Sequence, residues 1–109
     1  MKQAFIKILH VITELRHIGP DMPIQTAATF LSVANEEGIT MKRLSEKLGI
    51  SQSSVSRNVA ALSKTHRLNK PGYDLLYAME DPTERRRKIV RLTPKGRLLA
   101  DKIAQCIED

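Results

Sequence analysis

The chain has 109 residues, enough for one domain, and 41% of them are apolar, so a core is possible but small. No apolar run approaches the ~18 residues of a membrane span, and the stretch from Phe5 to Ile12 is broken by Lys7 and His10 and lacks a small-residue cleavage site, which argues against a signal peptide. The lone Cys106 excludes an intramolecular disulfide framework and suits a reducing cytoplasm, the expected location.

The net charge of +6 is unevenly spread. Residues 41–72 hold seven basic residues and one acidic, whereas residues 1–40 hold three basic and four acidic. A second basic block, Arg85, Arg86, Arg87, Lys88, Arg91, Lys95 and Arg97, contains no acid. Positive charge concentrated in two places points to a polyanion; a membrane surface is disfavoured because no basic helix carries a large apolar stripe.

In chain order, Phe5, Ile8, Leu9, Ile12 and Leu15 recur at helical steps and predict a first helix ended by Gly19-Pro20. Pro23 fits the first turn of a second helix, expected to bury Ile24, Ala27, Ala28, Leu31 and Ala34 before Gly38. Thr40 caps a third helix that buries Leu44 and Leu48. Gly49 turns the chain in the left-handed conformation, Ile50 plugs the gap, and Ser51 caps a fourth helix running to about Lys64. At ~100° per residue Val55, Val59 and Leu62 share one side, Ser53, Arg57, Ala60 and Lys64 the other, with Gln52, Ser54 and Ser56 on the flanks. After Pro71-Gly72, Tyr73 to Met79 and Lys88 to Leu92 read as two strands joined by the polar turn EDPTERRR. Thr93-Pro94 opens a last helix with Leu99, Ile103 and Ile107 at four-residue steps.

Residues 40–64 therefore read as a helix-turn-helix and the hairpin as its wing: a mainly α chain with a small β-hairpin, the winged helix-turn-helix fold, over 1–109 as a single domain. The segments GISQSSVSRNVAAL and DPTERRRKIVRLTPKGRLLA resemble the MarR family of bacterial regulators over roughly Pro23 to Ile103. Family members carry Asp-x-Arg at the wing tip and then Leu-Thr-x-x-Gly; here these are Glu84-Arg85-Arg86 and Leu92-Thr93-Pro94-Lys95-Gly96, with Glu in place of Asp. The resemblance implies a homodimeric DNA-binding transcriptional regulator. It also implies that Arg86 enters the minor groove, oriented by Glu84, and that Gln52, Ser53, Ser56 and Arg57 face the major groove. The chain is shorter than a typical member, so a reduced dimerisation region and a reduced or missing effector pocket are expected, and a small-molecule effector is left open.

The residues support the same chemistry without the family. Arginine can donate two hydrogen bonds to guanine O6 and N7, and hydroxyls near a helix start can reach base edges or phosphates. A narrow minor groove attracts arginine, which fits Arg85, Arg86 and Arg87 at the wing. Lys42, Arg43, Lys47, Ser54, Lys64, Arg67 and Lys95 are expected to contact phosphates, giving affinity without sequence choice. The first and last helices, about 2–18 and 94–108, are expected to form a dimer surface through Phe5, Ile8, Ile12, Leu99, Ile103 and Ile107; the alternative is that these close the monomer core.

Other chemistry has weaker support. His10, His17 and His66 make a poor metal pattern, no cofactor is expected, and Cys106 reads as a packed thiol with only Lys102 as a nearby cation in sequence, opposed by Glu108 and Asp109. No nucleophile–histidine pair or Gly-rich phosphate loop suggests an enzyme. The expected function is a sequence-specific double-stranded DNA-binding regulator, more a repressor than an activator, acting on an inverted repeat. The alternatives are a winged-helix protein–protein adaptor that does not read DNA, and a DNA-replication or processing accessory protein.

Overall fold

A computed structural model describes residues 1–64 and 70–108. The elements follow as α1 (Lys2–Ile18), α2 (Ile24–Asn35), β1 (Ile39–Thr40), α3 (Met41–Leu48), α4 (Gln52–Leu62), β2 (Leu76–Glu80), β3 (Lys88–Leu92) and α5 (Pro94–Glu108). Helices thus dominate, with one small sheet, in the winged helix-turn-helix arrangement that the sequence implies.

Local chemistry sets most boundaries. Thr40 accepts the Arg43 backbone N–H through its hydroxyl and starts α3. Gly49 ends α3 at φ 67°, in the left-handed region where a Cβ is penalised. Ser51 accepts the Ser54 N–H and starts α4. Thr93 Oγ1 accepts the Gly96 N–H at 3.0 Å and Pro94 takes the first position of α5.

The sheet has the order β1-β3-β2, all antiparallel. The hairpin pairs Leu76 with Leu92 and Glu80 with Lys88. The first strand begins at Leu76, later than Tyr73, because the preceding backbone bonds to the end of α4 instead. There Tyr73 N–H donates to Ala61 O, Asp74 N–H to Ser63 O and Leu75 N–H to Leu62 O. The two-residue β1 was not foreseen; Ile39 and Thr40 are too short a run to carry a strand pattern, and only β3 gives them a partner.

One core joins all the helices to the sheet. Phe30, Val33, Ile39, Leu44, Val55, Leu62, Leu75, Leu76 and Val90 are sealed from solvent, each worth roughly 1.5–3 kcal/mol for a large side chain. Two expected faces differ. In α2 the buried side is Thr26, Thr29, Phe30 and Val33, while Ile24 is 89% exposed and Leu31 lies at the surface. Apolar residues surround this helix, and the large Phe30 ring decides which side turns in. In α5, Leu99 and Ile103 are only 4% and 7% exposed and pack in the monomer core, so they leave the expected dimer surface. Phe5, Ile8, Leu9, Ile12 and Ile107 remain exposed, and α1 buries only Val11 and Leu15.

Candidate nucleic-acid interface

Helix α4 is fixed from behind. Val55, Val59 and Leu62 sink into the core, which turns Gln52, Ser53, Ser56 and Arg57 to solvent. Among the described residues no other helix covers that side. A chain of hydroxyls aims the arginine: Ser51 Oγ lies 3.0 Å from both Ser53 Oγ and Ser54 Oγ, and Arg57 Nη2 donates to Ser54 Oγ at 3.1 Å. Ser54 Oγ accepts from Ser51 and from Arg57, so its own proton is left to donate outward.

The wing approaches the same side. A cleft of about 460 Å³ lies between α4 and the hairpin, lined by Thr40, Met41, Lys42, Gln52, Ser56, Arg86, Arg87 and Lys88. It gathers four cations from three elements and no carboxylate, with two polar groups of α4 on its wall. Residues 45 positions apart in sequence, Lys42 and Arg87, meet here.

The wing tip is built around Asp81. Its Oδ1 accepts both the backbone N–H and the hydroxyl of Thr83, at 3.0 and 2.9 Å, and its Oδ2 lies 3.1 Å from Arg87 Nη2. The backbone closes the tip through Glu84 N–H to Asp81 O and Arg87 N–H to Glu84 O. The Thr83 hydrogen bonds, more than Arg87, hold the Asp81 carboxyl below its ordinary pKa. The wing's ion pair is thus Asp81–Arg87; among the described residues no salt bridge joins Glu84 to Arg86. Arg85, Arg86 and Lys88 are exposed and make no salt bridge among the described residues.

The remaining expected contacts divide. Arg43 Nε is 2.9 Å from Glu36 Oε2. Lys95 Nζ donates to the Tyr73 carbonyl at 3.0 Å. Arg97 and Arg91 both reach Glu37, at 2.7 and 3.8 Å, and Glu37 also accepts the Leu92 N–H at 3.1 Å. Lys42, Lys47 and Lys64 are exposed. The expectations placed on His66, Arg67 and Asp109 lie outside the described residues.

Two features were missed from sequence. Cys106 is half-buried and lines a shallow hollow with Gln3, Ile6, Lys7 and His10, so the basic side chain of Lys7 is brought to the same hollow from α1 and not from the cysteine's own helix. Asp81 was passed over because the sequence signal at the wing centres on Glu84. Among the described residues no group of three or more His, Cys, Asp or Glu could hold a metal ion, and no helix is long and apolar enough to cross a membrane.

Residues 21–65, which hold α2 and the helix-turn-helix, match the profile of the MarR family. Among curated protein sequences none matches this chain. A MarR-like transcriptional regulator from Thermotoga maritima is 30% identical, with a TM-score of 0.67 over 82% of this chain and 57% of its own. The PcaV transcriptional regulator from Streptomyces coelicolor, solved with its natural ligand, is 23% identical, with a TM-score of 0.60 over 80% of this chain and 55% of its own. MepR of S. aureus, solved in a complex with DNA, is 19% identical, with a TM-score of 0.71 over 92% of this chain and 74% of its own. The chain therefore spans little more than half the length of the first two proteins. The cleft beside an open α4, the family match across the helix-turn-helix and the shared fold agree: over residues 21–65 the chain is similar to the MarR family, and its fold is that of MarR-like regulators.

Proposed function

We propose that this chain is a sequence-specific double-stranded DNA-binding transcriptional regulator, with no enzymatic activity, that works as a homodimer on an inverted repeat. The observation that carries this reading is the acid-free cleft of Lys42, Arg86, Arg87 and Lys88 beside the open polar side of α4. A phosphate backbone seated there would place Gln52, Ser53, Ser56 and Arg57 in the major groove and the wing over the adjoining minor groove. Arg86 and Arg85 are the wing's groove probes, and Arg87 steadies the tip through Asp81. Lys42, Lys64 and the Ser54 hydroxyl serve as phosphate grips, while Arg43 and Lys95 are partly committed within the protein. The DNA complex of MepR supports the same use of this fold.

Dimerisation rests on the exposed row Phe5, Ile8, Leu9 and Ile12 of α1 with Ile107 of α5, a run of large apolar side chains that a lone monomer would leave in water. Two copies related by a two-fold axis would present their α4 helices ~34 Å apart. Repression by occluding a promoter is the favoured outcome.

Selection of bound duplexes from a random pool tests the reading. The expected result is an imperfect palindrome with half-sites about 10 base pairs apart. Absence of salt-sensitive retention even on random duplex at low salt would overturn it in favour of a protein–protein adaptor. A recovered site that maps to an origin and not a promoter would replace gene control with a replication role.

A further inference from the structure

The cross-helix side-chain hydrogen bonds of α4 all run through one residue, among the described residues. Asn58 Oδ1 accepts the Thr26 hydroxyl at 3.0 Å, and Asn58 Nδ2 donates to Gln25 Oε1 at 3.2 Å. Both partners lie in the first turn of α2. Thr26 is 3% exposed, so its hydroxyl has little water to fall back on. Thr29, one turn later, satisfies its hydroxyl within its own helix by donating to the Gln25 carbonyl at 2.9 Å. Thr26 instead spends its proton across the helix interface, and the amide of Asn58 is held at both ends.

The position of Asn58 gives this clamp a consequence. Helical geometry of ~100° per residue puts Asn58 on one flank of the buried Val55–Val59–Leu62 stripe, with Gln52 and Ser56 on the opposite flank. Aliphatic packing is non-directional and leaves a helix some freedom to roll. Hydrogen bonds are directional and remove that freedom. A roll of ~15° would sweep a side-chain tip ~6 Å from the helix axis through ~1.6 Å, more than a base contact tolerates.

We infer that Asn58, gripped by Thr26 and Gln25, is a positioning residue that fixes the roll of α4 and so sets its sequence selectivity. This rests on the DNA-reading function proposed above. Asn58 itself touches no base; it acts through Gln52, Ser53, Ser56 and Arg57.

The test compares affinity for the selected duplex with affinity for random duplex, alongside thermal melting. Thr26→Val keeps the branched shape and removes the hydroxyl. The selectivity ratio is expected to fall about three- to ten-fold, the equivalent of one hydrogen bond, while affinity for random duplex and its salt dependence stay within about two-fold. Thr26→Ser should restore the ratio. Gln25→Ala, at an exposed site where unfolding is not at issue, should give a smaller fall in the same direction. An unchanged ratio in both Thr26→Val and Gln25→Ala, or equal losses on selected and random duplex, overturns the inference. A wild-type protein that itself shows no preference for any duplex marks failure of the DNA-reading function, a result distinct from failure of the clamp.

Discussion

Lys42 and Arg43 are neighbours on α3 with the same formal charge, yet their surroundings predict different behaviour on DNA. Lys42 lines the cleft and makes no salt bridge among the described residues, whereas Arg43 Nε sits 2.9 Å from Glu36 Oε2. Each phosphate neutralised by a protein cation contributes ~0.9 to the slope of log affinity against log salt. Lys42→Ala should therefore lower that slope by ~0.9 per protomer, or ~1.8 for a dimer on two half-sites. Between about 50 and 200 mM salt, the wild type should then lose ~12-fold more affinity than the variant. The Arg43–Glu36 pair is exposed and screened by solvent, so DNA could pull the guanidinium away. The Glu36 carboxylate would stay behind, however, and the two charges sum to zero. Arg43→Ala should consequently leave the slope nearly unchanged, and Glu36→Gln should raise it by ~0.9 per protomer by freeing Arg43. Anisotropy titrations on a labelled random duplex across this salt range measure all three. Equal falls in slope for Lys42→Ala and Arg43→Ala, or no rise with Glu36→Gln, would refute the reasoning.

Other expectations follow from the same geometry. Arg57→Ala should cost ~1–3 kcal/mol on the preferred duplex and relax specificity, if the arginine reads guanine; a uniform loss on all duplexes would make it a phosphate contact. Arg86→Ala should weaken binding most where the flanks are A·T-rich, and equal losses on G·C-rich flanks would count against minor-groove insertion. Gly96→Ala would place a Cβ 2.0 Å from the Leu75 carbonyl oxygen, which also accepts the Thr93 N–H at 3.0 Å. Backbone on both sides cannot yield freely, so a loss of ~1–3 kcal/mol and a clear drop in Tm are expected; an unshifted Tm would mean that the base of the wing can move. The Arg97 hydrogen bond, helped by Leu92 N–H and by the charges of Arg97 and Arg91 and opposed by burial, holds the Glu37 carboxyl below its ordinary pKa. Its stabilising effect is then complete above about pH 4.5 and is lost as pH falls through the lowered folded value. Glu37→Gln should be less stable than wild type at neutral pH, and the two should converge in acid; melts with a constant gap across that range would discount the network.

What is local was legible from the chain alone. Thr40, Gly49, Ser51 and Thr93 each act within four residues of themselves, through a cap or a left-handed turn, and they set helix boundaries that the structure keeps. The stripe Val55, Val59 and Leu62 is likewise a property of one helix, and it decides that Arg57 faces out. What the tertiary structure decided was partnership. Arg97 finds Glu37 60 residues away, Thr26 finds Asn58 32 residues away, and Leu99 and Ile103 find the core in place of a second copy. A run of cations in sequence gives only their number. Which of them keep their charge for a polyanion depends on where the folded chain puts its carboxylates, because Coulomb attraction acts through space and carries no record of sequence distance.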